Sequence, residues 1–255
     1  MYHIIGYPRS PREVKYCCTP ENFLRQMSYL KESLYQPISL DELVQALESG
    51  DGCPENGVVV TFDDGFAEVY EHAMPILRRL QIPATVFVVS EAIAGSNVWM
   101  TEENFPERRI LSKQQLTHLR DEGFCIGSHS RTHPRLTALN KDDLEKEIRI
   151  SKSILEDTLN VEISYFAYPY GAHNDSVLKA VIAAGHRAAC VTRSGFNNRE
   201  SDPFALRRIE VLGTDSLWQF RQKLKYGTNH ADIALPLRYY TKRAFEKLTV
   251  RVRST

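Results

Sequence analysis

Short, unbroken apolar runs recur along this chain, and each is followed by a segment whose apolar residues repeat every three to four positions. That alternation restricts the fold more than any other feature. Runs at Tyr2–Ile5, Val58–Phe62, Ala84–Val89, Phe124–Gly127, Ile163–Ala167, Ala188–Val191 and Leu206–Leu212 read as strands. Strands that are apolar on both faces must be covered on both faces, the condition of a parallel sheet flanked by crossover helices. The helices between them carry their own start signals. Thr19-Pro20 supplies a cap with proline in the first turn, and Ser39 with Glu42 forms a capping box. Ser112 with Gln115, and Asn140, open two more, while Val69–Leu80, Ser176–Ala184 and a segment holding Leu217, Trp218, Phe220 and Leu224 complete the set. The expected fold class is therefore α/β, an irregular (β/α)7-type barrel of mainly parallel strands. In such barrels chemistry gathers at the carboxyl ends of the strands.

Two groups of chemically able residues stand at those ends. Thr61-Phe62-Asp63-Asp64-Gly65 follows one apolar run, and Ser128-His129-Ser130-Arg131-Thr132-His133-Pro134 follows another. Taken singly, an Asp-Gly pair is a common turn and each histidine an ordinary surface residue. Together, one carboxylate with His129 and His133 makes a three-ligand site with an open position, the way a catalytic zinc is held over a water whose pKa falls to about 7. Histidines four apart can face one metal if the backbone makes a helical turn between them. Neighbouring residues on an extended segment point opposite ways, so the second carboxylate is free to serve as a base. Two histidines and a carboxylate also suit non-haem Fe(II) oxygenases. The spare aspartate and the α/β alternation favour a hydrolase over that rival.

A third segment, Phe166-Ala167-Tyr168-Pro169-Tyr170-Gly171, completes a set. In this order the three segments resemble the motifs of the polysaccharide deacetylase family, the NodB-homology domains of carbohydrate esterase family 4: T-F-D-D-G, H-[ST]-x-x-H-P and R-x-P-Y-G. The likeness runs from about residue 56 to residue 171. It implies a divalent metal, Zn2+ ahead of Co2+, Fe2+ or Ni2+, held by Asp64, His129 and His133, with Asp63 as general base. It also implies a backbone N–H of Tyr170 donating to the developing oxyanion, and as substrate an N-acetylated amino sugar, free, polymeric or lipid-linked. Two departures matter. The arginine that normally precedes the third motif's proline is Ala167 here, and Arg208, or failing it Arg207, is the expected substitute. Either could instead be a surface residue tied to Asp202 or Glu210. No late D-x-x-D-W or L-x-H motif is found. The opening Met1-Tyr2-His3-Ile4-Ile5 resembles the branch in which that late motif is moved to the front, the type acting on poly-N-acetylglucosamine, and His3 would then be the general acid. The alternative from another class is a sugar-binding protein of the same fold that has lost catalysis.

Charge and cysteine content bound the rest. Cationic and anionic side chains balance at 32 each, which argues against nucleic acid as a partner. The end of the chain is uneven: nine Lys or Arg from Arg221 to Arg253 face only Asp232 and Glu246. Residues 1–228 are read as the deacetylase-like barrel and 229–255 as a basic extension able to make weak contact with a membrane surface. No basic leader with an apolar core opens the sequence, and no run of about 18 apolar residues occurs. Five cysteines without C-x2-C spacing suit free thiols in a reducing compartment. The expected address is the cytoplasm, with membrane association an option. Trp99 is read as a loop anchor or a platform for a sugar. His173 is a candidate for the pocket lining, and the remaining histidines are read as structural or exposed.

Overall fold

The computed structural model describes residues 1–50, 54–232, 234, 235 and 239. Most of the basic extension, and Cys53, lie outside the described residues. Among the described residues there are nine short strands: β1 Ile4–Ile5, β2 Cys17–Cys18, β3 Gln36–Pro37, β4 Gly57–Val58, β5 Val60–Phe62, β6 Ala84–Val88, β7 Cys125–Ser128, β8 Tyr165–Ala167 and β9 Ala188–Cys190. The last five form one parallel sheet in sequence order. The α-helices among the described residues are α1 Pro20–Glu32, α2 Leu40–Ser49, α3 Met74–Leu80, α4 Lys113–Asp121, α5 Lys141–Leu159, α6 Asp175–Ala183 and α7 Leu217–Tyr226.

The expected α/β barrel of parallel strands is present, with two of its seven positions reduced to single contacts. Beyond β5, Tyr2 makes one parallel bridge to Phe62, and beyond β9, Leu206 makes one to Cys190. Those two outer segments meet: the Met1 nitrogen donates to the Ile209 carbonyl at 2.9 Å, and Val211 N–H donates to the Met1 carbonyl at 3.0 Å. Backbone hydrogen bonds thus run full circle. The first expected strand is cut short because Ile4–Ile5 turns away from β5 to pair with β2, a strand too brief to leave a sequence pattern.

The helix starts follow the chemistry of their caps. Ser39, Ser112 and Ser216 each form a reciprocal box with the Glu or Gln three residues on, satisfying amides that a helix start leaves without partners. The segment expected as one helix from Val69 is a wide π-type turn, Val69–Ala73, followed by α3. Pro75 explains the break: it has no N–H for the carbonyl four residues back, and the Met74 N–H reaches Val69 instead. Phe62, Val86 and Ile126 from the sheet pack with Phe23, Met27, Leu77 and Leu116 from α1, α3 and α4. Farther round the same face Phe166 and Tyr168 pack with Ile148, Val177 and Val181 from α5 and α6. The opposite face packs Phe87, Tyr165, Ala167 and Cys190 against Leu40, Leu43 and Val44 of α2, so both faces of the sheet are covered. No helix among the described residues is long and apolar enough to cross a membrane.

Candidate metal centre

At the carboxyl ends of β5 and β7 the backbone leaves its regular path. Asp64, Ser130, His133 and Tyr170 have φ of 71°, 64°, 64° and 59°, a left-handed conformation that costs a non-glycine residue of order 1 kcal/mol or more. The helical turn expected between the two histidines is absent. Left-handed steps at Ser130 and His133 reverse the chain instead and bring the second imidazole back over the first, with ring centroids 4.9 Å apart.

Asp63 and Asp64 point to different partners, as expected, but the left-handed turn at Asp64 separates them rather than alternation along an extended strand. Asp64 faces the histidines: its Oδ1 lies 3.5 Å from His129 Nε2 and 3.4 Å from His133 Nε2. One ligand atom from each of these three buried residues lies within 4.8 Å of the others. The tautomer of His129 follows from its far side. Nδ1 is 2.7 Å from the Ala167 carbonyl, which can only accept, so Nδ1 carries the hydrogen. In the neutral ring Nε2 then turns a lone pair toward a carboxylate. Lone pairs converging without a hydrogen between them call for a cation, and the donor set of two imidazoles and a carboxylate suits a divalent metal. His133 Nδ1 is buried without a hydrogen-bond partner. Burial pulls the His133 pKa down to about 4, keeping that ring neutral, the form that binds metals. Burial also acts to lower the His129 pKa, but the Asp64 and Asp63 carboxylates beside it outweigh burial and raise it, so a positive charge, a proton or a metal ion, is favoured between Nε2 and Asp64.

Asp63 faces the opposite way, into a guanidinium. Arg208 Nη1 and Nη2 donate to Asp63 Oδ1 and Oδ2 at 2.6 and 2.7 Å, a bidentate grip in a buried setting. Arg208 is fixed in turn by Nε on the Val191 carbonyl at 3.1 Å and by the face of Phe87, 5.5 Å from its Cζ. Burial alone would raise the Asp63 pKa, but the charge of Arg208 beside it holds the carboxyl well below the usual carboxylate range. The preceding residue, Arg207, projects elsewhere and lies against Gly195. Arg208 thus reaches the carboxylate from the segment that follows the Leu206 bridge, while position 167 contributes its carbonyl to His129.

The other expected residues surround this centre. The ring of Tyr170 meets His133 edge-on at 4.7 Å, and the Arg135 guanidinium lies 5.0 Å from the Tyr170 ring centroid. Gly171 has φ of 67°, and a Cβ there would sit 2.0 Å from Thr192 Oγ1, so the third motif's glycine is required by both conformation and contact. His3 packs edge-on against Tyr16 at 5.5 Å and is close enough for its charge to pull down the pKa of both Asp63 and Asp64. Trp99 stacks on His133 at 5.2 Å, with its indole N–H buried and unpartnered. His173 stacks on Tyr168 at 4.9 Å, away from the imidazole pair. A cavity of about 620 Å³ reaches Thr61 and Arg208 from the opposite side but is lined by none of Asp63, Asp64, His129 and His133.

Comparisons with known proteins bear on the family and the fold. A family model described as polysaccharide deacetylase matches residues 51–189, more than half of the chain. The poly-beta-1,6-N-acetyl-D-glucosamine N-deacetylase of Staphylococcus epidermidis is 28% identical over 212 residues, 78% of this chain and 70% of that protein. The Streptococcus pyogenes deacetylase PplD, solved in complex with acetate, superposes with a TM-score of 0.75 at 26% identity over 88% of this chain and 96% of its own. IcaB from Ammonifex degensii shares the fold, with a TM-score of 0.76 at 22% identity over 89% of this chain and 94% of its own.

Proposed function

This chain belongs to the polysaccharide deacetylase family, and from that membership we propose that it hydrolyses the N-acetyl groups of an N-acetylated amino sugar with the help of a divalent metal. The observation that carries the reading is the convergence of Asp64, His129 and His133 beside a carboxylate held separately by Arg208. Zn2+ is the first metal to test, since two imidazoles and one carboxylate are a donor set of catalytic zinc sites. Such a metal supplies Lewis acidity to the acetyl carbonyl and lowers the pKa of water.

The chain's own residues have separate tasks in this proposal. Asp63 accepts the proton of the attacking water. Arg208 keeps that carboxylate ionised, fixes its plane and denies it a place among the metal ligands. The Tyr170 N–H donates to the oxygen on which charge develops, where a preorganised donor contributes most. His3 donates a proton to the departing amine. Trp99 and Tyr170 pack on either side of His133 and restrict its ring to one orientation. The polymer acted on by the staphylococcal relative makes β-1,6-linked N-acetylglucosamine oligomers the first substrates to try, followed by other N-acetylated oligosaccharides and lipid-linked sugars. Acetate release from that panel, with the protein first stripped of metal and then supplied with Zn2+, Co2+, Fe2+ or Ni2+, tests the proposal. Release that depends on added metal supports it. Equal release from stripped and reloaded protein contradicts it.

A further inference from the structure

We infer that Glu147, on α5, is the positioning residue of the metal centre, because its buried carboxylate binds the backbone of the loop that joins His129 to His133. The inference rests on the metal set proposed above. Glu147 Oε2 accepts from two successive amides, Arg131 N–H at 3.0 Å and Thr132 N–H at 2.9 Å, and Oε1 accepts from the Thr132 hydroxyl at 2.8 Å. Two consecutive N–H groups closing on one oxygen form an anion-binding nest, and here the anion belongs to the protein. The nest sits between Ser130 and His133, the two left-handed residues that turn the chain back on itself.

Other contacts hold the same loop from its edges. One turn along α5, Ser151 Oγ meets Ser128 Oγ at 2.7 Å, at the end of β7. The carbonyls of Ser130 and Arg131 accept from Ser90 N–H at 3.2 Å and Glu91 N–H at 3.0 Å. His133 N–H donates to Ser130 Oγ at 3.0 Å. Among these, Glu147 supplies the one charged group that reaches inside the turn, and α5 holds it on a buried face beside Leu144, Ile148 and Leu155. Its effect on the centre is indirect. It sets the backbone from Arg131 to Thr132, and that backbone delivers His133 to Asp64 before any metal arrives.

The consequence is measurable in metal affinity. A carboxylate offers acceptors only, and it meets three donors here. In E147Q the two backbone amides lose the charged oxygen they close on, and Nε2 can only donate, which the Thr132 hydroxyl can accept but the amides cannot, so the turn is held less firmly with almost no change in volume. Partners that orient metal ligands typically alter affinity 10–100-fold when replaced, and that is the loss expected for Zn2+ in E147Q, read by competition against a chromogenic chelator. Co2+ loaded in place of Zn2+ should give a visible absorption band altered in position or intensity, which a merely global loss of stability would not produce. T132V removes one of the three contacts at an exposed side chain, and a loss of about fivefold is expected from one hydrogen bond. It serves if E147Q does not fold. Zn2+ affinity and Co2+ spectra like those of the wild type in E147Q, or in T132V where only that variant folds, would overturn the role of Glu147 and leave the metal set standing. Wild-type protein that binds no Zn2+ would overturn the metal set itself, and the inference with it.

Discussion

Two buried arginines grip carboxylates in this molecule, and the contrast between them separates architecture from chemistry. Arg108 and Arg208 are 2% and 7% exposed. Arg108 binds Glu13 through Nε and Nη2 at 2.5 and 3.0 Å, Glu68 through Nη1 at 2.5 Å and the Tyr7 carbonyl through Nη2 at 2.8 Å. That cluster ties the N-terminal segment to the long connection before α4, and none of its three charged residues has a left-handed backbone. Arg208 holds one carboxylate, Asp63. The next residue, Asp64, is left-handed and faces imidazoles whose ligand atoms converge. Each region also leaves a buried polar atom without a partner, Glu68 Oε2 in one and His133 Nδ1 in the other. Neither burial, nor ion pairing, nor one orphaned atom therefore marks the site. Locally costly backbone combined with converging lone pairs does.

The largest effect that tests the contrast is at the converging atoms. His129→Ala and His133→Ala should each abolish stoichiometric metal binding, measured by elemental analysis of purified protein, whereas Arg108→Met should leave one metal per chain. Retention of one tightly held metal in both histidine variants would remove the distinction between the regions. His3, on the segment that runs between the two clusters, should behave as part of the chemical one. His3→Ala is expected to slow amide substrates by about 10²–10⁴, the range of a general acid. It should spare activated acetate esters, whose leaving groups need no proton, and equal losses on both would assign His3 to packing.

Arg108→Met sharpens the contrast from the structural side. Removing one partner of a buried ion pair costs about 3–5 kcal/mol, here because Glu13 and Glu68 would keep their charge in a dry setting. Denaturant unfolding should show that loss while turnover per folded molecule changes little. Arg208→Met should do something Arg108→Met does not, namely shift a pH profile. Arg208 depresses the Asp63 pKa, so its loss should move the acid limb of turnover to higher pH, by the roughly 1–3 units an adjacent arginine contributes. Stability follows the same sign. A depressed carboxylate contributes stability that is complete above its ordinary pKa of about 4 and is lost as pH falls through the lower folded value. The variant should lack that acid-dependent loss.

The two regions also differ in how far the sequence revealed them. Asp63, Asp64 and His129 were legible because they stand just after apolar runs, and strand ends are where an α/β barrel exposes side chains; His133 was legible from its spacing of four from His129. Arg208 was expected only through the resemblance, as a substitute, beside Arg207, for the motif arginine whose position Ala167 takes. Arg108 was not, because Glu107-Arg108-Arg109 in a long connection reads as solvated charge, and only the fold carries Glu13 and Glu68 to it. Glu147 was missed for a related reason: it lies among Asp142, Asp143, Glu145 and Lys146. The available sign was its place beside Leu144 and Ile148 on the stripe that α5 buries. The turn from His129 to His133 was expected to be helical and is not, since left-handed steps at Ser130 and His133 depend on contacts from α5 and from Ser90 and Glu91 that no local pattern encodes. The barrel was legible from alternation, but its closure through Met1, Ile209 and Val211 joins residues at opposite ends of the chain.

In the proposed reaction one metal ion and one separate carboxylate divide the chemistry of this site. The most direct test adds Zn2+ stepwise to stripped protein, wild type and Asp63→Asn, and follows acetate released from a β-1,6-linked N-acetylglucosamine oligomer against metal bound. The predicted result is that both proteins take up one ion per chain with similar affinity. Release by the wild type should rise in proportion to occupancy and level off at one equivalent, while Asp63→Asn stays about 10²–10⁴ lower throughout. Acetate release that ignores occupancy, or an Asp63→Asn variant as active as the wild type, would contradict it.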